Sequence, residues 1–172
     1  MRTLLIDGDN DVTYGGAELV ARWKADSNAR IWVDLCEQND DAERALLEDM
    51  GCHALAVTDA LRERHPPKIE DFDDHVFILY RGIKSFDDGL NHEGQNISFF
   101  IGERFLVTRH PHAAISIDRM MKDGAALHHL CSDKAHLLHA RHNKRWVAVA
   151  GILVCTREAL CEFVIQALVH AA

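Results

Sequence analysis

Histidines and carboxylates are the residues of this chain whose spacing suggests chemistry. His128, His129, His136, His139 and His142 fall in one helical stretch. His136 and His139 are three apart, as are His139 and His142, so on a helix each pair shares a face. Two such imidazoles clamp Zn2+ when a third ligand approaches. With Lys134, Arg141 and Lys144 nearby, the same residues also make an ordinary polar helix face. Glu70, Asp71, Asp73 and Asp74 form an acidic run beside a strand, which either attracts cations electrostatically or is simply solvated. Asp7, Asp9 and Asp11 with Glu18 imitate the acidic spacing of a calcium loop. Val12 stands where that loop needs glycine and a strand precedes it, so a turn is the better reading. There is no G-x-S-x-G, no phosphate-binding glycine loop and no dinucleotide fingerprint, and Ser98 and Ser116 have no local base. The expectation is a protein that is not an enzyme.

These residues need a scaffold, and 172 residues with 48% apolar content suffice for one domain spanning 1–172. A net charge of −8 argues against nucleic acid as the main partner and is compatible with hard cations. Cys36, Cys52, Cys131, Cys155 and Cys161 are odd in number and form no C-x-x-C pair, so reduced thiols in a cytoplasmic chain are expected. The longest apolar run, near Trp146 to Cys155, is about half the ~20 residues that a membrane helix requires.

Strands are expected at Arg2–Ile6, Arg30–Leu35, His75–Ile83, Asn96–Ile101 and Arg104–Arg109, the last two joined by a hairpin at Gly102-Glu103. Helices are expected at Ala17–Lys24, at Asp41–Met50 with Ala42, Ala45, Leu46 and Met50 inward, and at Ala54–Arg62. Asn39 or Asp40 caps the second of these and Gly51 stops it; Pro66-Pro67 then forces an extended entry into Lys68-Ile69-Glu70. Lys84–Gly94 reads as a polar loop, and Ala114–Met121, Ala125–His142 and Trp146 to about Val169 read as helices. This order predicts an α+β or α/β fold: a mixed sheet over residues 1–122 flanked by helices on both faces, with a helical C-terminal third over 123–172.

Four segments occur in a telling order: Ile31-Trp32-Val33-Asp34-Leu35 before a capped acidic helix, Gly51-Cys52-His53 through Asp59-Ala60-Leu61, Pro67-Lys68-Ile69-Glu70 through Leu79, and the hairpin ending Phe105-Leu106-Val107-Thr108. Together, over roughly residues 30 to 122, they resemble the N-terminal cytoplasmic domain of the CorA-type divalent-cation transporter family. That family has W-I-D-L, then G-I-H-P-L-x-x-E-D, then R-P-K-x-E-x-x-x-x-Y-x-F, then F-L-V-T. Tyr80-Arg81-Gly82-Ile83 also resembles the zinc-transporting branch. Ala54, Thr58 and Pro66 depart from the family's Pro, Glu and Arg, and the Gly-Met-Asn pore signature is absent from these residues.

The resemblance implies a cytoplasmic, ion-sensing domain that assembles with copies of itself, as a pentamer in the family. It implies that Asp59, at the Asp of L-x-x-E-D, helps bind a regulatory divalent ion where subunits meet. Mg2+ is the default ligand and Zn2+, Co2+ or Ni2+ the alternatives. The pore and any membrane contact are expected in sequence beyond Ala172. The other expectation is a stand-alone, pore-less paralogue acting as an interaction or metal-binding protein, whose apolar Val147, Val149, Ile152, Leu153, Leu160, Phe163, Val164 and Leu168 pack onto the domain or a second copy.

Overall fold

A computed structural model describes residues 1–36, 39–63, 65–86 and 92–122, together with 147–149 and 152–154. Its centre is a seven-stranded sheet. In chain order the strands are β1 (Arg2–Ile6), β2 (Val12–Gly15), β3 (Arg30–Cys36), β4 (Lys68–Asp71), β5 (His75–Phe86), β6 (His92–Gly102) and β7 (Phe105–His110). Across the sheet the order is β2-β1-β3-β7-β6-β5-β4. β3 and β7 run parallel and the other neighbours antiparallel, so the sheet is mixed as expected.

Side chains alternate across the central strands, and each face builds its own core. On one face Leu5, Ile31, Val33, Phe77, Leu79, Phe100 and Val107 meet three helices: α1 (Glu18–Ala25), α2 (Asp40–Asp49) and α3 (Ala54–Leu61). On the other, Leu4, Trp32, Ile78, Phe99 and Leu106 meet Ala114, Ile117 and Met121 of α4 (Ile115–Lys122) and its approach. Phe77 and Phe100 are fully buried and their rings lie 4.9 Å apart. Burying a side chain of that size contributes about 1.5–3 kcal/mol. Among the described residues, helices therefore cover both faces, three against one.

α2 shows how local sequence sets an element. The Asn39 side chain accepts from the backbone N–H groups of Asp41 (2.9 Å) and Ala42 (3.4 Å). Asp40, Asp41 and Glu43 in the first turn complement the helix dipole, and Gly51 takes φ +86 after the last turn. We expect Asn39→Ala to cost about 1 kcal/mol, read as a lower thermal midpoint. The inward face of α2 differs from the one the apolar spacing suggests. Glu43, Leu47 and Met50 are buried, Leu46 is partly buried, and Ala42 and Ala45 are exposed. A buried partner on β7, Arg109, draws Glu43 in.

One strand was not foreseen and two expectations need correction. β2 follows the turn read at Asp7–Asp11 and pairs along Thr3–Ile6 of β1; as an edge strand it buries too little to show an apolar rhythm. β5 and β6 extend their ladder through Phe86 and from His92, with a register shift between Ile83 and Ser85, into the segment read as a polar loop. Hydropathy reports burial and not backbone pairing. Finally, Val147–Val149 and Ile152–Val154 pair as two antiparallel strands and not as the start of a helix. β-branched residues favour the extended chain. The helix expected at Ala125–His142 and the rest of the C-terminal third lie outside the described residues. Among the described residues no helix is long and apolar enough to cross a membrane.

Candidate functional site

Asp59 is carried by α3, whose position is fixed at both ends. At its start, His53 Nδ1 accepts from the Leu55 N–H (3.3 Å). The His53 ring stacks on Phe72 at 4.3 Å, and Phe72 stacks on His75 at 5.0 Å, which ties the helix to the β4–β5 turn. His75 is buried; its Nδ1–H donates to Asp74 (2.7 Å), and its Nε2 accepts the His53 backbone N–H (3.4 Å). At the end of α3, Arg109 donates to the Ala60 carbonyl (2.9 Å) while gripping Glu43 (2.9 Å) and Asp40 (3.2 Å) of α2. One guanidinium on β7 thus sets both helices.

The Asp59 side chain is 14% exposed and surrounded by basic side chains of its own chain. Lys68 Nζ lies 2.5 Å from Oδ2, Arg62 3.3 Å from Oδ1 and His65 Nε2 3.4 Å from Oδ1. The same ammonium is 2.9 Å from Glu70 and 5.6 Å from the centre of the Phe77 ring. Burial by itself raises the Asp59 pKa, but the Lys68 hydrogen bond and the charges of Lys68, His65 and Arg62 outweigh it and hold the carboxyl below its usual range. Burial likewise lowers the Lys68 pKa, and its bonds to Asp59 and Glu70 raise it further than that. The carboxylate is therefore ionised and oriented, and its place for a cation is held by an ammonium. Any further cation at this carboxylate would have to displace Lys68. Lys68 lies in the motif Pro67-Lys68-Ile69-Glu70, nine residues on, whereas helix spacing from Asp59 reaches only Arg62, just past the end of α3.

The other acidic candidates sit at the opposite end of β4. Asp71 ends that strand and Asp73 and Asp74 lie in the turn to β5; all three are exposed. Asp74 is committed to His75, and beside it Cys52 is buried with its thiol pushed up to about 12, by burial first and the Asp74 charge second. The structure does not bring Asp59 and the 71–74 run together. Among the described residues no three His, Cys, Asp or Glu side chains converge as a metal cage. His136 and His139 lie outside the described residues.

Known proteins share this arrangement of sheet and helices. The sequence model of the family described as CorA-like Mg2+ transporter protein matches residues 27–141. The putative metal ion transporter YfjQ of Bacillus subtilis (strain 168) is 31% identical over 93 residues, 54% of this chain and 28% of that protein. The structure of the full-length CmaX protein superposes with a TM-score of 0.60 at 14% identity, over 72% of this chain and 38% of that one. The CorA magnesium transporter of Methanocaldococcus jannaschii gives 0.53 at 18% identity, over 70% and 35%. The ZntB cytoplasmic domain of Vibrio parahaemolyticus gives 0.51 at 14% identity, over 71% and 48%. At such identities the superpositions speak to fold. This chain spans between 28% and 48% of the length of these relatives. With more than half of its residues matched in sequence and the same fold in its sheet and helices, the chain belongs to the CorA-like Mg2+ transporter protein family.

Proposed function

We propose that this chain is the cytoplasmic, ion-sensing part of a CorA-like divalent-cation transporter, and that Asp59 binds the sensed ion where subunits of a homo-oligomer meet. The supporting observation is the state of Asp59 itself: an ionised, partly exposed carboxylate paired with the Lys68 ammonium. Mg2+ suits this best, since it keeps several waters and takes one or two carboxylates in place of a full protein cage. Zn2+ and Co2+ prefer softer or more numerous ligands. An ion delivered by one subunit's Asp59 and a partner carboxylate also screens the repulsion between acidic copies. Lys68 makes the site weak, which a sensor working near cellular Mg2+ requires.

Thermal unfolding with rising Mg2+ tests this. The wild-type midpoint is expected to rise in the millimolar range and that of Asp59→Ala to stay flat, because ligand stabilisation follows occupancy of the folded state. Equal responses in the two proteins would remove Asp59 from the ligands. A second reading, a stand-alone interaction or metal-binding protein without a pore, is favoured by the pairing of Val147–Val149 with Ile152–Val154, which are strands where a stalk would be helical.

A further inference from the structure

On the face of the sheet opposite α3, beneath α4, lies a second group of charges. Asp34 and His110, on the parallel strands β3 and β7, are both fully buried. The Thr108 hydroxyl donates to Asp34 Oδ1 (2.6 Å) and accepts from Trp32 Nε1 (3.0 Å). Arg2 places two N–H groups on Asp34 Oδ2, at 3.0 and 2.5 Å, and its remaining nitrogen lies 2.5 Å from Asp118 on α4. One guanidinium thus joins the sheet's buried carboxylate to the helix above it.

His110 stands between two acceptors. Its Nε2 is 3.0 Å from Asp34 Oδ1, and its Nδ1 is 2.6 Å from the carbonyl oxygen of His112. A carbonyl cannot donate, and a carboxylate gripped by Arg2 and Thr108 is ionised and cannot donate either. Both ring nitrogens must then carry protons, and only the imidazolium does so. We infer that His110 is a buried imidazolium that latches the start of α4 to the sheet, and that loss of its proton opens this latch.

A neutral ring makes one of the two bonds and turns a lone pair on the other acceptor. Keeping Nδ1–H would set Nε2 against the Asp34 carboxylate, the costlier clash, so the neutral ring keeps Nε2–H, sets Nδ1 against the His112 carbonyl and frees the segment leading through Ala114 into α4. The charged groups facing the ring are Asp34 from β3, Arg2 from β1 and, behind Arg2, Asp118 from α4. β6 contributes the neutral Gln95, which holds the His112 N–H (3.1 Å) and the Ala113 carbonyl (3.2 Å) and so acts as the pivot. Burial lowers the His110 pKa and Arg2 opposes its charge, but the Asp34 bond, the Asp34 charge and the His112 carbonyl outweigh both and raise it above 6.5. A raised folded value means the latch is complete below about 6.5 and is lost as pH climbs through that higher value.

Two readouts on the wild-type 172-residue chain decide this, so no variant has to fold. Nitrogen NMR of the His110 ring just below pH 6.5 is expected to show both nitrogens protonated; a single N–H there overturns the inference. Amide exchange, corrected for intrinsic base catalysis, is expected to show protection of 112–122 falling by up to roughly tenfold per pH unit above the His110 titration, while β5 and β6 keep theirs. Protection of α4 that is unchanged through the titration overturns it equally.

Discussion

Asp34→Ala is expected to lower folding stability by about 3–5 kcal/mol, the cost of leaving a buried charge without its partner. The substitution removes the acceptor for Arg2, Thr108 and His110 together, and His110 has no exposed surface through which water can replace it. Urea unfolding at neutral pH measures the loss as a lower midpoint at unchanged slope. The deficit narrows as pH rises past the His110 titration, because the wild type then gives up the same ion pair. Arg2→Ala should cost much less, since that side chain is 41% exposed and water takes over part of its role. A loss under about 1 kcal/mol for Asp34→Ala would mean that the centre holds no buried charge worth compensating.

Arg109→Met is expected to be as damaging, again about 3–5 kcal/mol, for the analogous reason on the other face. Glu43 is 2% exposed and loses its guanidinium, while the Ala60 carbonyl at the end of α3 loses its donor. The effect reaches function as well as stability. With α2 and α3 no longer pinned to β7, Asp59 loses the fixed position that α3 gives it, and the Mg2+-dependent rise in midpoint expected of the proposed site shrinks along with the midpoint itself. Adding Glu43→Leu should recover much of the loss, because a well-packed apolar pair often replaces a buried ion pair without cost. Additive losses in the double variant would show that the two side chains act separately.

Much of this architecture was legible in the chain. Val76–Leu79 and Ile97–Ile101 announced themselves as strands because both their faces are buried, and α2 because Asn39, an acidic first turn and Gly51 mark its ends. What stayed hidden depends on distance in sequence. Asp34 and His110 are 76 residues apart, and Arg109 and Glu43 are 66 apart. A polar residue inside an apolar strand, such as Asp34 in Ile31-Trp32-Val33-Asp34-Leu35, was a usable signal that a partner exists, but not which one. Edge strands β2 and β4 were faint because half or more of each is exposed to solvent or only partly covered. At Asp59 the helix was readable and the ammonium was not, since Lys68 arrives on a different element after the Pro66-Pro67 turn.

Sensing through Asp59 is most directly tested by locating a bound ion. Mn2+ replaces Mg2+ at carboxylate-and-water sites and broadens nearby NMR signals. On adding substoichiometric Mn2+ to the chain, backbone signals of 57–62 and 68–70 are expected to vanish first, and to return on addition of excess Mg2+. Broadening centred on Asp71–Asp74, or no broadening that Mg2+ reverses, would contradict the assignment of the sensing ion to Asp59.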